Sequence, residues 1–82
     1  MNLAAFPKLY FQYAVAVEGS PKFSITCSTA RAAAIMRLDL YRFRKALESA
    51  GMKDDHPGLF AARFYVRGRR LLIWHADEGV PE

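Results

Sequence analysis

The chain has one cysteine, Cys27. It can form no internal disulfide, which sets aside the stapled scaffold of small secreted domains. It also lacks any apolar run near the ~18 residues of a membrane-spanning helix. The opening "MNLAAFPKLYFQY" is a poor signal peptide, because its charge is slight and Pro7 and Lys8 interrupt its apolar stretch. The expected setting is cytoplasmic, without a membrane partner.

The signatures of common chemistry are missing too. There is no phosphate-binding Gly-Lys loop, no glycine-rich dinucleotide fingerprint and no paired-cysteine motif. Metal-type ligands cluster only at Asp54, Asp55 and His56, and adjacent residues converge poorly on one ion. His56 precedes Pro57 and reads as a loop residue. His75 lies near Asp77 and Glu78, but no nucleophile stands by for such a pair to serve. Cys27 precedes a helix start, where a thiol can be activated, yet it reads better as a small buried hydrophobe. The expectation is a non-enzyme without metal or cofactor.

Acidic charge is in short supply. Twelve Lys and Arg, most of them Arg, face eight Asp and Glu, for a net charge of +4 and an isoelectric point near 9.6. Arginine grips phosphates in bidentate fashion and stacks on flat rings, so the balance favours an anionic partner. Ordinary solubility charge accounts for the same number.

What is present is enough for one domain spanning 1–82. The chain is 82 residues long, 52% apolar and 24% charged, outside the range of disordered chains. Residues 1–7 read as a lead-in and 77–82, "DEGVPE" with its approach, as a polar tail.

"KLYFQYAVAVEG" alternates: Leu9, Phe11, Tyr13, Val15 and Val17 on one side, Tyr10, Gln12, Ala14, Ala16 and Glu18 on the other. Period two predicts a strand. "EGSP" then predicts a turn, and "KFSITC" a second strand with Phe23, Ile25 and Cys27 on one face and Lys22, Ser24 and Thr26 on the other. From Lys22 to Ala50 there is neither Gly nor Pro. A helix is expected over about 29–50, with Ser28 as N-cap and Gly51 beyond its end. Its apolar stripe is Ala32, Ala33, Met36, Leu40, Phe43, Leu47 and Ala50. After the loop "MKDDHPG", "LFAARFYV" and "RRLLIWHA" flank Arg67-Gly68 as a closing hairpin. The expected fold is α+β, in the order ββαββ: a four-stranded antiparallel sheet of two hairpins with one long helix on one face.

The closing hairpin carries the main functional signal. One side holds apolar groups for a core. The other holds Arg63, Tyr65 and Arg67 opposite Arg70, Leu72 and Trp74, and a single helix cannot cover both sides. Rings beside guanidinium groups suit bases and phosphates. They equally suit a protein interface, or lateral packing on one another. The helix offers a second basic surface at Arg31, Arg42 and Lys45, with Arg37 and Arg44 also off the apolar stripe; a solvated face with ion pairs to Asp39 and Glu48 explains this as well. Ile35, Leu38 and Tyr41 form a candidate apolar patch away from the core. The leading expectation is a small nucleic-acid-binding or nucleic-acid-associated module. The alternative is a non-catalytic interaction module, most simply a homodimer, built on the uncovered sheet face or the helix side.

Overall fold

The structure, a computed structural model, describes residues 3–81. Three helices and three strands follow one another as α1 (Lys8–Gly19), β1 (Lys22–Thr26), α2 (Ala30–Ser49), α3 (Pro57–Ala61), β2 (Ala62–Arg67) and β3 (Arg70–His75), with 3-10 turns at Leu3–Ala5, Lys53–Asp55 and Ala76–Glu78. The sheet is antiparallel and three-stranded, ordered β1-β3-β2. The fold is α+β as expected, but the four-stranded sheet and the ββαββ order are not found.

The missing strand is α1. Its buried residues are Tyr10, Ala14 and Val17, spaced four and three apart, which is helical spacing. Leu9 and Val15, assigned to the inner side of a strand by the alternation, are 43% and 67% exposed. The segment is apolar at nearly every position, so both periods fit it. Ala14, Ala16, Gln12 and Leu9 favour a helix, and Pro7 sits at its N-cap, where a missing amide costs nothing. Glu18 then ties α1 to α3: its Oε1 accepts the Gly58 amide at 2.6 Å. A Cβ on residue 58 would lie 2.8 Å from that oxygen, so glycine permits the close approach.

α2 begins one residue later than expected. Thr29, not Ser28, is the N-cap, and its Oγ1 accepts the Ala32 amide at 3.0 Å. At the other end Gly51 takes φ +75°, the Gly51 amide reaches Glu48 O and the Met52 amide reaches Leu47 O. These paired bonds close the helix with a left-handed glycine. Buried on α2 are Ala33, Leu40, Phe43, Ala46 and Leu47. Ala46 was not in the expected stripe, and Ala50, which was, is exposed.

The closing hairpin forms, with its turn moved by one residue. Gly68 and Arg69 are the central pair, and Gly68 has φ +56°. Glycine first is the arrangement of a II′ turn, and it spares Arg67 the positive φ that an Arg67-Gly68 turn demands. The pairs become Arg67↔Arg70, Val66↔Leu71, Phe64↔Ile73 and Ala62↔His75. Each partner shifts by two, so every side chain keeps its expected face. β2 starts only at Ala62, because Pro57 at the first helical position sets Leu59–Ala61 into α3.

All three helices lie on one side of the sheet. The core joins Tyr10, Ala14 and Val17 of α1, Leu40, Phe43 and Leu47 of α2 and Leu59 of α3 to Ala62, Phe64, Leu71 and Ile73. Phe43 is its hub, with edge-on contacts to Phe6, Tyr10 and Phe11 at ring distances of 5.4, 5.7 and 4.9 Å. The described part of the lead-in, residues 3–7, is therefore docked through Phe6.

Candidate functional site

The side of the sheet away from the helices presents nine side chains in three cross-strand rows. Lys22, Trp74 and Arg63 form one row, Ser24, Leu72 and Tyr65 the next, and Thr26, Arg70 and Arg67 the third. All five expected binding residues, Arg63, Tyr65, Arg67, Arg70 and Trp74, thus share one face, joined by Lys22. A turn at Arg67-Gly68 sets Tyr65 opposite Arg70 and Arg63 opposite Leu72; the turn at Gly68-Arg69 sets Tyr65 beside Leu72 and Arg63 beside Trp74 instead.

The cations here are poorly neutralised. Arg67 and Arg70 are direct cross-strand neighbours, an arrangement that is repulsive without a counter-charge. Arg70 donates to Ser24 Oγ at 3.0 Å and Arg67 to the Pro81 carbonyl, both neutral acceptors. The Arg63 side chain makes no hydrogen bond or ion pair among the described residues. The ion pairs found there join Lys22 to Glu78, Arg42 to Asp39 and His75 to Asp77, so no hairpin arginine has a carboxylate.

The face is not bare. Leu72, at its centre, is only 5% exposed, and Tyr65 and Trp74 are half-buried. Lys22 Nζ lies 4.9 Å over the Trp74 ring and 3.5 Å from Glu78 Oε2. Pro81 is buried at the β2 side, with Arg67 bonded to its carbonyl. Three residues span ~10 Å at most, so the chain from Glu78 to Pro81 crosses β3 on this same face. The tail expected to be merely polar is a strap whose acidic end pairs with one of the face's cations.

Beyond Arg67 the surface turns the β2 edge into a groove of about 490 Å³ between α2 and β2, walled by Ala34, Leu38 and Val66 and flanked by Arg37. Arg37 and Arg44, grouped with the solvated helix face by sequence, have another job. Arg37 Nε donates to Phe64 O at 2.8 Å, and Arg44 donates to Ala62 O at 3.1 Å and Leu59 O at 3.5 Å. The bonds to Phe64 and Ala62 satisfy outward carbonyls of the edge strand β2, and the bond to Leu59 satisfies a carbonyl of α3. Burial lowers the pKa of the Arg44 guanidinium from its ordinary value, partly offset by Tyr41.

Tyr41 is also displaced from its expected role. Its ring packs edge-on against Phe64 at 4.7 Å, with the Arg37 and Arg44 guanidiniums 5.3 and 4.9 Å from it. Of the candidate apolar patch only Ile35 and Leu38 stand exposed, at 49% and 52%. Arg31, Arg42 and Lys45 are exposed on α2. They face away from the sheet and do not join its arginines.

Among the described residues no group of three His, Cys, Asp or Glu is placed to hold a metal ion. No helix there is long and apolar enough to cross a membrane. Comparison with protein-family models, curated proteins and solved structures yields no match.

Proposed function

We propose that the helix-free sheet face binds single-stranded nucleic acid. The observation that carries this reading is the Arg67–Arg70 cross-strand pair, with Arg63 two rows away, on a face whose only carboxylate contact among the described residues is Glu78 with Lys22. A polyanion supplies a counter-charge that these arginines lack among the described residues, through bidentate bonds to phosphate oxygens. Tyr65 and Trp74 lie between the cations, where flat rings can take up stacked bases. A single strand is favoured because its bases are free to meet the rings, whereas a duplex hides them. The Arg37 groove continues the positive surface past the β2 edge. Arg31, Arg42 and Lys45 lie on the other side of the molecule and have no part in this contact.

The test is anisotropy of a labelled mixed-sequence single strand titrated at several salt concentrations. Four engaged cations give a slope of log K against log salt of about −3, at roughly −0.7 per phosphate. Replacing Arg63, Arg67 and Arg70 together by Ala should abolish most of the binding and flatten the slope. Absence of binding at low salt, or binding indifferent to that triple replacement, rejects the proposal.

A further inference from the structure

The two edges of the sheet are treated differently. On β2, Arg37 and Arg44 occupy the outward carbonyls of Phe64 and Ala62. On β1 a side chain occupies only the outward carbonyl of Lys22, at the start of the strand, and among the described residues none occupies those of Ser24 and Thr26. The His75 amide donates to Pro21 O and the Cys27 amide to Arg69 O, each at 2.7 Å, at the two ends of the β1–β3 ladder. Bonded pairs alternate in an antiparallel ladder, so Phe23 and Ile25 also bond inward, and Lys22, Ser24 and Thr26 aim their amides and carbonyls outward. Ser20 Oγ donates to the Lys22 carbonyl at 3.0 Å, as that direction requires. The outward groups of Ser24 and Thr26 have no partner among the described residues.

We infer that β1 pairs antiparallel with β1 of a second copy of this chain, about a two-fold axis through Ser24, giving a continuous six-stranded sheet. Outward groups lie on even-numbered residues, so only registers with an even residue sum are bonded, and the one centred on Ser24 is the one that overlaps all five residues. It is self-complementary. Ser24 meets Ser24, and each Lys22 meets a Thr26 rather than another lysine, so no like charges oppose. On the helix side each Phe23 meets an Ile25, an aromatic–β-branched pair made twice by symmetry. Phe23 and Ile25 are only half-buried in the single chain.

α1 extends this apolar margin. Tyr13 contacts Phe23 at a ring distance of 6.3 Å, and Leu9, 43% exposed, lies one turn before Tyr13 on the same side of the helix. The two-fold axis stands perpendicular to the sheet, so both helix-free faces point the same way and the arginine surface doubles. A five-residue edge makes a small interface, so the dimer is concentration-dependent rather than obligate.

Sedimentation equilibrium of the full chain from micromolar to millimolar tests this. The wild type should associate to a dimer and no further. Ser24→Pro removes an outward amide without breaking a β3 bond and should raise the dissociation constant at least tenfold. Thr26→Lys, which sets like charges opposite, should weaken the dimer, and Thr26→Glu, opposite Lys22 of the second copy, should strengthen it. Lys45→Glu, a charge change on the far side of α2, should leave it unchanged. Should Ser24→Pro fail to fold by circular dichroism, the exposed Thr26 pair carries the test alone. A wild type monomeric throughout, or a dimer that Thr26→Lys and Thr26→Glu shift in the same direction or not at all, overturns the inference.

Discussion

Arg44 shows how a charged residue can serve a fold. Its guanidinium spends its donors on Ala62 O and Leu59 O and its flat faces on Tyr41, Phe60 and Phe64, at 4.9, 5.8 and 5.6 Å. Arg44→Ala should cost about 2 kcal/mol, through lost packing and two bonds at partly buried carbonyls. Arg44→Lys should recover little, since an ammonium neither forks nor stacks. Urea unfolding of the three proteins checks both statements. Tyr10 gives a second expectation at this scale. Its hydroxyl donates to Asp39 Oδ2 at 3.3 Å, and burial first, then the Asp39 charge and that bond, push its pKa up to about 12. The unfolded phenol ionises near 10. A raised folded value means that the stabilisation is whole below pH 10 and drains away as pH climbs toward 12. Tyr10→Phe should lose part of that decline, read from unfolding free energies across the window. Burial raises the Tyr13 phenol as well, so spectrophotometric titration should show Tyr10 and Tyr13 ionising late in the wild type and Tyr13 alone doing so in Tyr10→Phe.

Among the elements, the readable signals are those with one possible period. The α2 stretch contains neither glycine nor proline between its ends and has a one-sided stripe, so its span and face were readable. Its exact cap was not, because Ser28 and Thr29 are chemically equivalent candidates and only geometry chose between them. Gly51 was legible from its position alone, and its φ of +75° gives the reason. Gly51→Ala should cost about 1 kcal/mol in thermal or urea unfolding, the strain of a left-handed side chain. α1 was misread because nearly all its residues are apolar. Leu9 and Val15 fit a strand's inner side, while Tyr10, Ala14 and Val17 fit a helix's, and tertiary burial chose the second set. The tail was not legible either: nothing in "DEGVPE" announces that Glu78 meets Lys22 or that Pro81 meets Arg67. Its placement carries a prediction that rests on the nucleic-acid reading. Truncation after Ala76 should free Lys22, Arg67 and the Trp74 ring, and should tighten oligonucleotide binding severalfold in the anisotropy titration. Glu78→Gln should give a smaller gain in the same direction.

Across the whole molecule the decisive feature is one-sidedness. Three helices crowd one face of a three-stranded sheet, and the other face carries Arg63, Arg67, Arg70, Lys22, Tyr65 and Trp74 under a short strap. The membership of that face was readable in the sequence, since strand alternation survives a turn displaced by one residue and partners displaced by two. The neighbours within it were not, and those neighbours make Arg67 and Arg70 a repelling pair. Trp74 is the only tryptophan of the chain and sits between Lys22 and Arg63 at the centre strand. Its emission is therefore a direct reporter of the face. The deciding measurement is Trp74 fluorescence during titration with a mixed-sequence single strand at low salt, at a protein concentration where dilution alone causes no change. Saturable quenching that salt reverses, and that Arg67→Ala with Arg70→Ala greatly weakens, is the outcome predicted here. Emission that stays constant while the oligonucleotide binds, or no binding at all, would contradict a nucleic-acid site on this face.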